Sequence, residues 1–155
     1  MKFTTKEDIE APIEHVFKEV SDFSSFERSA LRRGADINRI DSHATAQVGS
    51  AWDVAFKYRG KERRLRATLT SIEAPNGFTA SIASKNLEGV TQVDLVALSR
   101  SRTRLTVSVD MTPKTLAAKL LVKSLSLAKG NINKRFALRV ADFAEDVEER
   151  FTKTA

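Results

Sequence analysis

The chain is expected to fold as an α+β domain, because its apolar residues change period along the sequence. Residues 35–112 alternate apolar and polar, the pattern of a half-buried antiparallel sheet, whereas residues 114–151 carry apolar residues at threes and fours, the pattern of a helix. A short strand-like segment and two short helical patterns precede them. At 155 residues the chain is large enough for one core and too small for two independent ones, so residues 1–155 are expected to form a single domain.

The opening segment places Phe3, Thr5, Glu7, Ile9 and Ala11 on one side and Lys2, Thr4, Lys6, Asp8 and Glu10 on the other, as a strand does. Pro12 ends it, and Ile13, Val16, Phe17 and Val20 follow at helical spacing. Asp22 is placed to N-cap a second short helix carrying Phe23, Phe26 and Leu31, which closes with Arg32-Arg33 before Gly34.

Turn signals then recur at Gly49, Gly60, Pro75-Asn76-Gly77, Gly89 and Arg100-Ser101-Arg102, which divides residues 35–112 into a strand meander. A four-residue loop at residues 59–62 sets Trp52 opposite Leu69, Val54 opposite Ala67, Phe56 opposite Leu65 and Tyr58 opposite Arg63. Folding back at Pro75-Asn76-Gly77 sets Leu69 against Ala80 and Ala67 against Ile82. Later turns set Ile82 against Val93, Val93 against Val109, Leu95 against Val107 and Ala97 against Leu105. These pairings give one apolar face, with the small residues Ala67, Ser71, Ala80 and Thr91 among large ones. Asp53, Lys57, Arg64, Arg66, Asp94 and Asp110 fall on the opposite, water-facing side.

From residue 114 the stripe Ala117, Leu121, Leu125, Ala128, Ile132, Phe136, Val140, Phe143, Val147 and Phe151 describes one helix of nearly ten turns. A straight helix of that length would span roughly 57 Å, more than a small sheet covers, so a kink or break is expected at Gly130-Asn131. Leu116, Leu120 and Leu127 form a second stripe off the main face, which something else must cover.

The segment Ile9-Glu10-Ala11-Pro12-Ile13-Glu14-His15-Val16-Phe17 and the following Val20-Ser21-Asp22-Phe23-Ser24-Ser25-Phe26 resemble the first strand-to-helix passage of the polyketide cyclase/dehydrase and lipid-transport family. That family belongs to the START-like (SRPBCC) superfamily. The order of elements resembles it over the whole chain. The resemblance implies a helix-grip fold, a curved antiparallel sheet wrapped around a long C-terminal helix with two short helices after strand one. It also implies a cavity that binds lipids, quinones or polyketide-like molecules.

The residues themselves exclude several chemistries. The lack of cysteine removes disulfides, thiolate nucleophiles and thiolate metal sites, and no Gly-rich phosphate loop is present. His15 and His43, the only histidines, form neither a metal-ligand pair nor a triad and read as surface residues. No catalytic set, metal site or cofactor is assigned. The N-terminus shows charges where a secretory leader needs an apolar run, and no stretch is long and apolar enough for a membrane span, so a soluble, cytoplasmic protein is expected.

The expected function is binding or transport of a small apolar ligand between sheet and C-terminal helix. The assigned lining is Glu7, Trp52, Phe56, Tyr58, Leu69, Ile82, Leu95, Phe136 and Val140. Glu7 faces inward by parity, beside Arg63 at an open rim, and Tyr58 offers a hydroxyl. Two alternatives stay open. One is a cyclase or dehydratase in which Glu7, Tyr58 or an inward-slipped Asp94 handles protons. The other is an interaction module using the basic hairpins around Lys57–Arg66 and Arg100–Arg104 or the extra leucine stripe, with an anionic membrane or a second copy as partner through the first half of the C-terminal helix. No recognition-helix or stacking pattern accompanies the basic residues, so no specific nucleic acid is assigned.

Overall fold

A computed structural model describes residues 1–154. Strand β1 (Lys2–Ile9) leads through Pro12 into α1 (Ile13–Val20) and α2 (Phe23–Arg32). The meander follows as β2 (Asp36–Arg39), β3 (Ala51–Tyr58), β4 (Lys61–Glu73), β5 (Gly77–Ala83), β6 (Leu87–Ser99) and β7 (Arg102–Pro113). Two helices, α3 (Leu116–Ser126) and α4 (Lys129–Thr154), complete the described chain. The seven strands form one antiparallel sheet in the order β1-β7-β6-β5-β4-β3-β2, with β1 closing onto the last strand of the meander. This is the expected α+β helix-grip architecture.

The faces follow the expected alternation, but three hairpins adopt a different register. Arg59 and Gly60 both have positive φ, which makes a two-residue turn matching the twist of its strands, instead of the four-residue loop expected there. Tyr58 therefore pairs with Lys61, Phe56 with Arg63, Val54 with Leu65 and Trp52 with Ala67. A two-residue turn at Arg100-Ser101, with a bulge at Leu98, likewise sets Leu95 opposite Leu105 and Val93 opposite Val107. Ile82 pairs with Gly89 rather than Val93, because the β5–β6 turn falls at Ser84-Lys85-Asn86 and Gly89 lies inside β6. Each displacement is an even number of residues, so every face is kept.

An irregularity between Leu69 and Ser71 is different, since one extra residue reverses the alternation. It turns Ser71 to the outer face and brings Ile72, paired with Phe78, to the inner one. At the next turn Gly77 has φ +144, and a Cβ there would lie 1.9 Å from the Val93 carbonyl oxygen, so a side chain is excluded.

The long C-terminal helix is two helices. Leu127 and Ala128 donate to the carbonyls of Ser124 and Leu125, three residues back, which tightens and ends α3. The break thus falls just before Gly130, which lies in the first turn of α4.

The packed core sits at one end. Ile9, Ala11, Val16, Val20, Val93, Leu95, Leu105, Val140, Ala144 and Val147 form one buried cluster joining β1, β6, β7, α1 and α4. Thr103 Oγ1, buried in the same region, donates to the Ala11 carbonyl at 2.8 Å and ties β7 to the start of α1. His15 is half-buried rather than a surface residue: it packs 5.0 Å from Phe151, and its Nε2 lies 3.1 Å from the Val147 carbonyl oxygen, so α1 is latched to α4.

Candidate functional site

The inner face of β3, β4 and β5 is where the helices leave the sheet incompletely covered. Helix α4 packs chiefly on β1, α1 on β6 and β7, α2 on β2, and α3 on β7. Val54, Phe56, Leu65, Ala67, Ala80 and Ile82 all point inward by register, and all are only half-buried. One cross-strand row runs Trp52, Ala67, Ile82, Gly89 and Met111, and the adjacent row runs Leu69, Ala80, Thr91, Val109 and Phe3. Small residues stand among the large ones in both rows: Ala67 and Gly89 flank Ile82 in the first, and Ala80 and Thr91 lie between Leu69 and Val109 in the second. The result is a half-covered apolar strip of the inner sheet face, the trough, lying beside α2.

Helix α2 is seated over one side of this trough by few contacts. Phe23 lies 5.3 Å from Trp52 and 5.2 Å from Phe78, Phe26 lies 5.6 Å from Phe143, and the Trp52 indole N–H donates to Glu27. No residue of α2 is fully buried, although Asp22 caps it through the Ser25 N–H at 3.2 Å. In α3 only Ala118 is buried.

The nine residues assigned from sequence separate into distinct environments. Trp52, Phe56 and Ile82 belong to the trough, and Phe136 is half-buried on α4, 6.3 Å from Phe3. Leu69 is fully buried beneath it, while Leu95 and Val140 are part of the packed cluster. Tyr58 keeps inward parity at the hairpin tip but is 40% exposed, with the Arg59 guanidinium 5.5 Å from its ring centroid. Glu7 is half-buried opposite Leu105 at the packed end. Three strands separate it from β4, so the expected rim pair with Arg63 does not form. Asp94 is exposed on the outer face, opposite Thr106 and Gly77, so Glu7, Tyr58 and Asp94 are not brought together.

Two groups near the trough lie outside the assigned lining: Arg63, expected only as a rim charge beside Glu7, and Asp41. Arg63 faces inward opposite Phe56, and its Nε is buried with no hydrogen-bond partner. The other strand arginines, Arg39, Arg64, Arg66, Arg102 and Arg104, each pair with a carboxylate. The second group is Asp41, which accepts from Arg39 Nε at 2.9 Å and Nη2 at 3.0 Å and from the N–H groups of Ala51 and His43 at 3.1 Å. Hydrogen bonding to Arg39 holds its carboxyl well below the usual range, the backbone donors add to this, and burial opposes it. Arg39 in turn stands 5.8 Å from the Trp52 ring centroid, so Asp41 anchors the β2–β3 loop against the wall of the trough.

Two depressions, of about 450 and 390 Å³ and open to solvent, adjoin this strip. The first lies where β2 begins, among Arg33, Asp36, Phe56, Lys57 and Glu62, and the second mainly on the outer sheet face, among Ser81, Ile82, Gly89, Val90, Asp110 and Thr112. Among the described residues no group of three acidic or histidine side chains is arranged to hold a metal ion, and no helix is long and apolar enough to cross a membrane.

No protein-family model and no curated protein sequence matches the chain. Solved structures do match it in shape. An aromatase/cyclase from Streptomyces superposes with a TM-score of 0.68 at 9% identity, covering 97% of this chain and 95% of that one. A norcoclaurine synthase from Thalictrum flavum superposes at 0.67 with 11% identity over 97% and 95%. A conserved protein from Geobacillus kaustophilus superposes at 0.66 with 13% identity over 99% and 97%. At such identities the likeness concerns architecture alone, and on that evidence together with its strand order the chain has the START-like, helix-grip fold.

Proposed function

We propose that this chain, acting as one domain over residues 1–155, binds a small apolar molecule of the lipid, quinone or polyketide-like class in the trough between the inner face of β3–β5 and the helices. The observation that carries the reading is a continuous apolar surface of half-buried side chains, with small residues among the large ones, over which no helix is tightly packed. Solved proteins of the same fold support it: one is an aromatase/cyclase, and another is a norcoclaurine synthase point mutant in complex with a transition-state analogue. Trp52, Phe56 and Ile82 contribute lining, with Phe136 from α4. Leu69, Leu95 and Val140 serve as the packed floor and end wall.

Arg63 refines the class of ligand. A guanidinium Nε held away from water without an acceptor costs free energy, and an acceptor on a bound ligand would recover it. The favoured ligand therefore has an apolar body and an anionic end, such as a carboxylate. Native mass spectrometry of purified protein, with titration by the neutral dye Nile red, tests the trough itself; absence of both a co-purified small molecule and dye binding would sink it. Dodecanoate and dodecanol separate out the role of Arg63. Wild type is expected to prefer the acid by about tenfold, the worth of one hydrogen bond to a charged group, and Arg63→Gln to lose that preference while still binding the alcohol.

A further inference from the structure

The outward face of α3 is unlike the rest of the surface. Leu116, Leu120 and Leu127 are 74%, 62% and 91% exposed, and Lys119 and Lys123 stand beside them. Ala118, Leu121 and Leu125 occupy the opposite side of the helix, so α3 is fully turned and still leaves leucines in water. Charge along this stretch of the chain has one sign, and the carboxylate of Glu88 on β6 meets it at Lys114, just before α3, at 3.4 Å. Residues 114–141 contain seven Lys or Arg and no Asp or Glu, whereas the acidic residues of α4, Asp142, Glu145, Asp146, Glu148 and Glu149, come after them.

We infer that α3 docks on the surface of an anionic lipid bilayer, with its leucines entering the headgroup–acyl boundary and its lysines pairing with lipid phosphates and carboxylates. Exposed leucines flanked by lysines on one helical face are what such an interface requires. Each basic residue near an anionic surface adds to the attraction. A second copy of the chain fits this face less well. Self-association would set Lys119 and Lys123 against basic neighbours, with no carboxylate in residues 114–141 to neutralise them. The inference is independent of the ligand, since it concerns the outside of α3.

Vesicle co-sedimentation of the full chain tests it. Binding is expected to phosphatidylcholine vesicles containing phosphatidylserine, to weaken with added salt, and to be at least tenfold weaker on phosphatidylcholine alone. The double variants Leu120→Ser/Leu127→Ser and Lys119→Glu/Lys123→Glu change exposed residues only, so both retain the wild-type circular dichroism. Each is expected to lower partitioning about tenfold or more. Failure to bind anionic vesicles overturns the inference, and so does binding that both variants leave intact. Sedimentation showing a dimer without lipid that the leucine variant converts to monomer also overturns it, by assigning the face to self-association.

Discussion

The two halves of the sheet are built from similar residues and packed to very different degrees. Across β1, β7 and β6 the inner side chains meet α1 and α4 and form a closed cluster, in which Leu105 is 1% exposed. Across β3, β4 and β5, Val54, Phe56, Leu65, Ala67, Ala80 and Ile82 stop at half burial around the buried Trp52 and Leu69, beneath an α2 none of whose own residues is fully buried. The same alternation therefore yields a stability-bearing half and a half with apolar surface in reserve. What separates them is how closely the helices approach.

The largest expected effect lies in the closed half. Leu105→Ala removes a fully buried side chain from a region that cannot collapse around the space, and is expected to cost about 3 kcal/mol in urea unfolding. Leu31→Ala, in α2 on the open side and 53% exposed, is expected to stay within about 0.5 kcal/mol. Equal losses at the two sites would erase the contrast.

Filling the open half gives a smaller effect, of another kind. Ala67→Trp places a large ring between Trp52 and Ile82 in the row that runs to Met111. It is expected to weaken Nile red binding about tenfold, or about 1.4 kcal/mol, while moving the unfolding midpoint little. A large loss of stability with no change in binding would mean that the trough is already packed and that ligand binds elsewhere.

Much of this contrast was legible in the sequence, within limits set by geometry. The face of each strand residue depends only on parity, so Trp52, Phe56, Leu69, Ile82 and Leu95 are assigned inward even though three hairpins shift register. The shifts themselves depend on whether a residue such as Arg59 accepts positive φ, which side-chain alternation does not encode. Parity fails at the irregularity before Ser71, where one extra residue turns it outward. Burial is harder still: Leu95 and Ile82 look alike in sequence, and only the paths of α1 and α4 put one in the closed cluster and leave the other in the trough. Arg63 is expected only as a rim charge and Asp41 is not singled out, because their importance lies in what they touch. The former looks like one more charge in a basic hairpin, and the latter like one residue of a polar loop.

The smallest effect is expected at that loop, and only in acid. Asp41 is held below the ordinary aspartate range, first by its hydrogen bonds to Arg39 and then by the N–H groups of Ala51 and His43, with burial acting against them. A carboxyl whose pKa is lower in the folded than in the unfolded chain stabilises the fold above the unfolded value. That contribution is lost as pH falls through the folded value. Asp8 and Asp53, held down in the same direction chiefly by hydrogen bonds to Arg104 and Arg66, act likewise on the outer face. Wild-type stability is therefore expected to decline from about pH 4 downwards. Asp41→Asn cannot titrate there, so its unfolding midpoint should begin lower and fall less steeply between pH 5 and pH 2, because Asp8 and Asp53 still respond. Denaturation curves parallel to wild type over that interval would remove Asp41 from the acid response. The loop beside Trp52 would then be held by packing, and the wall of the open half would be as insensitive to charge as the closed core opposite.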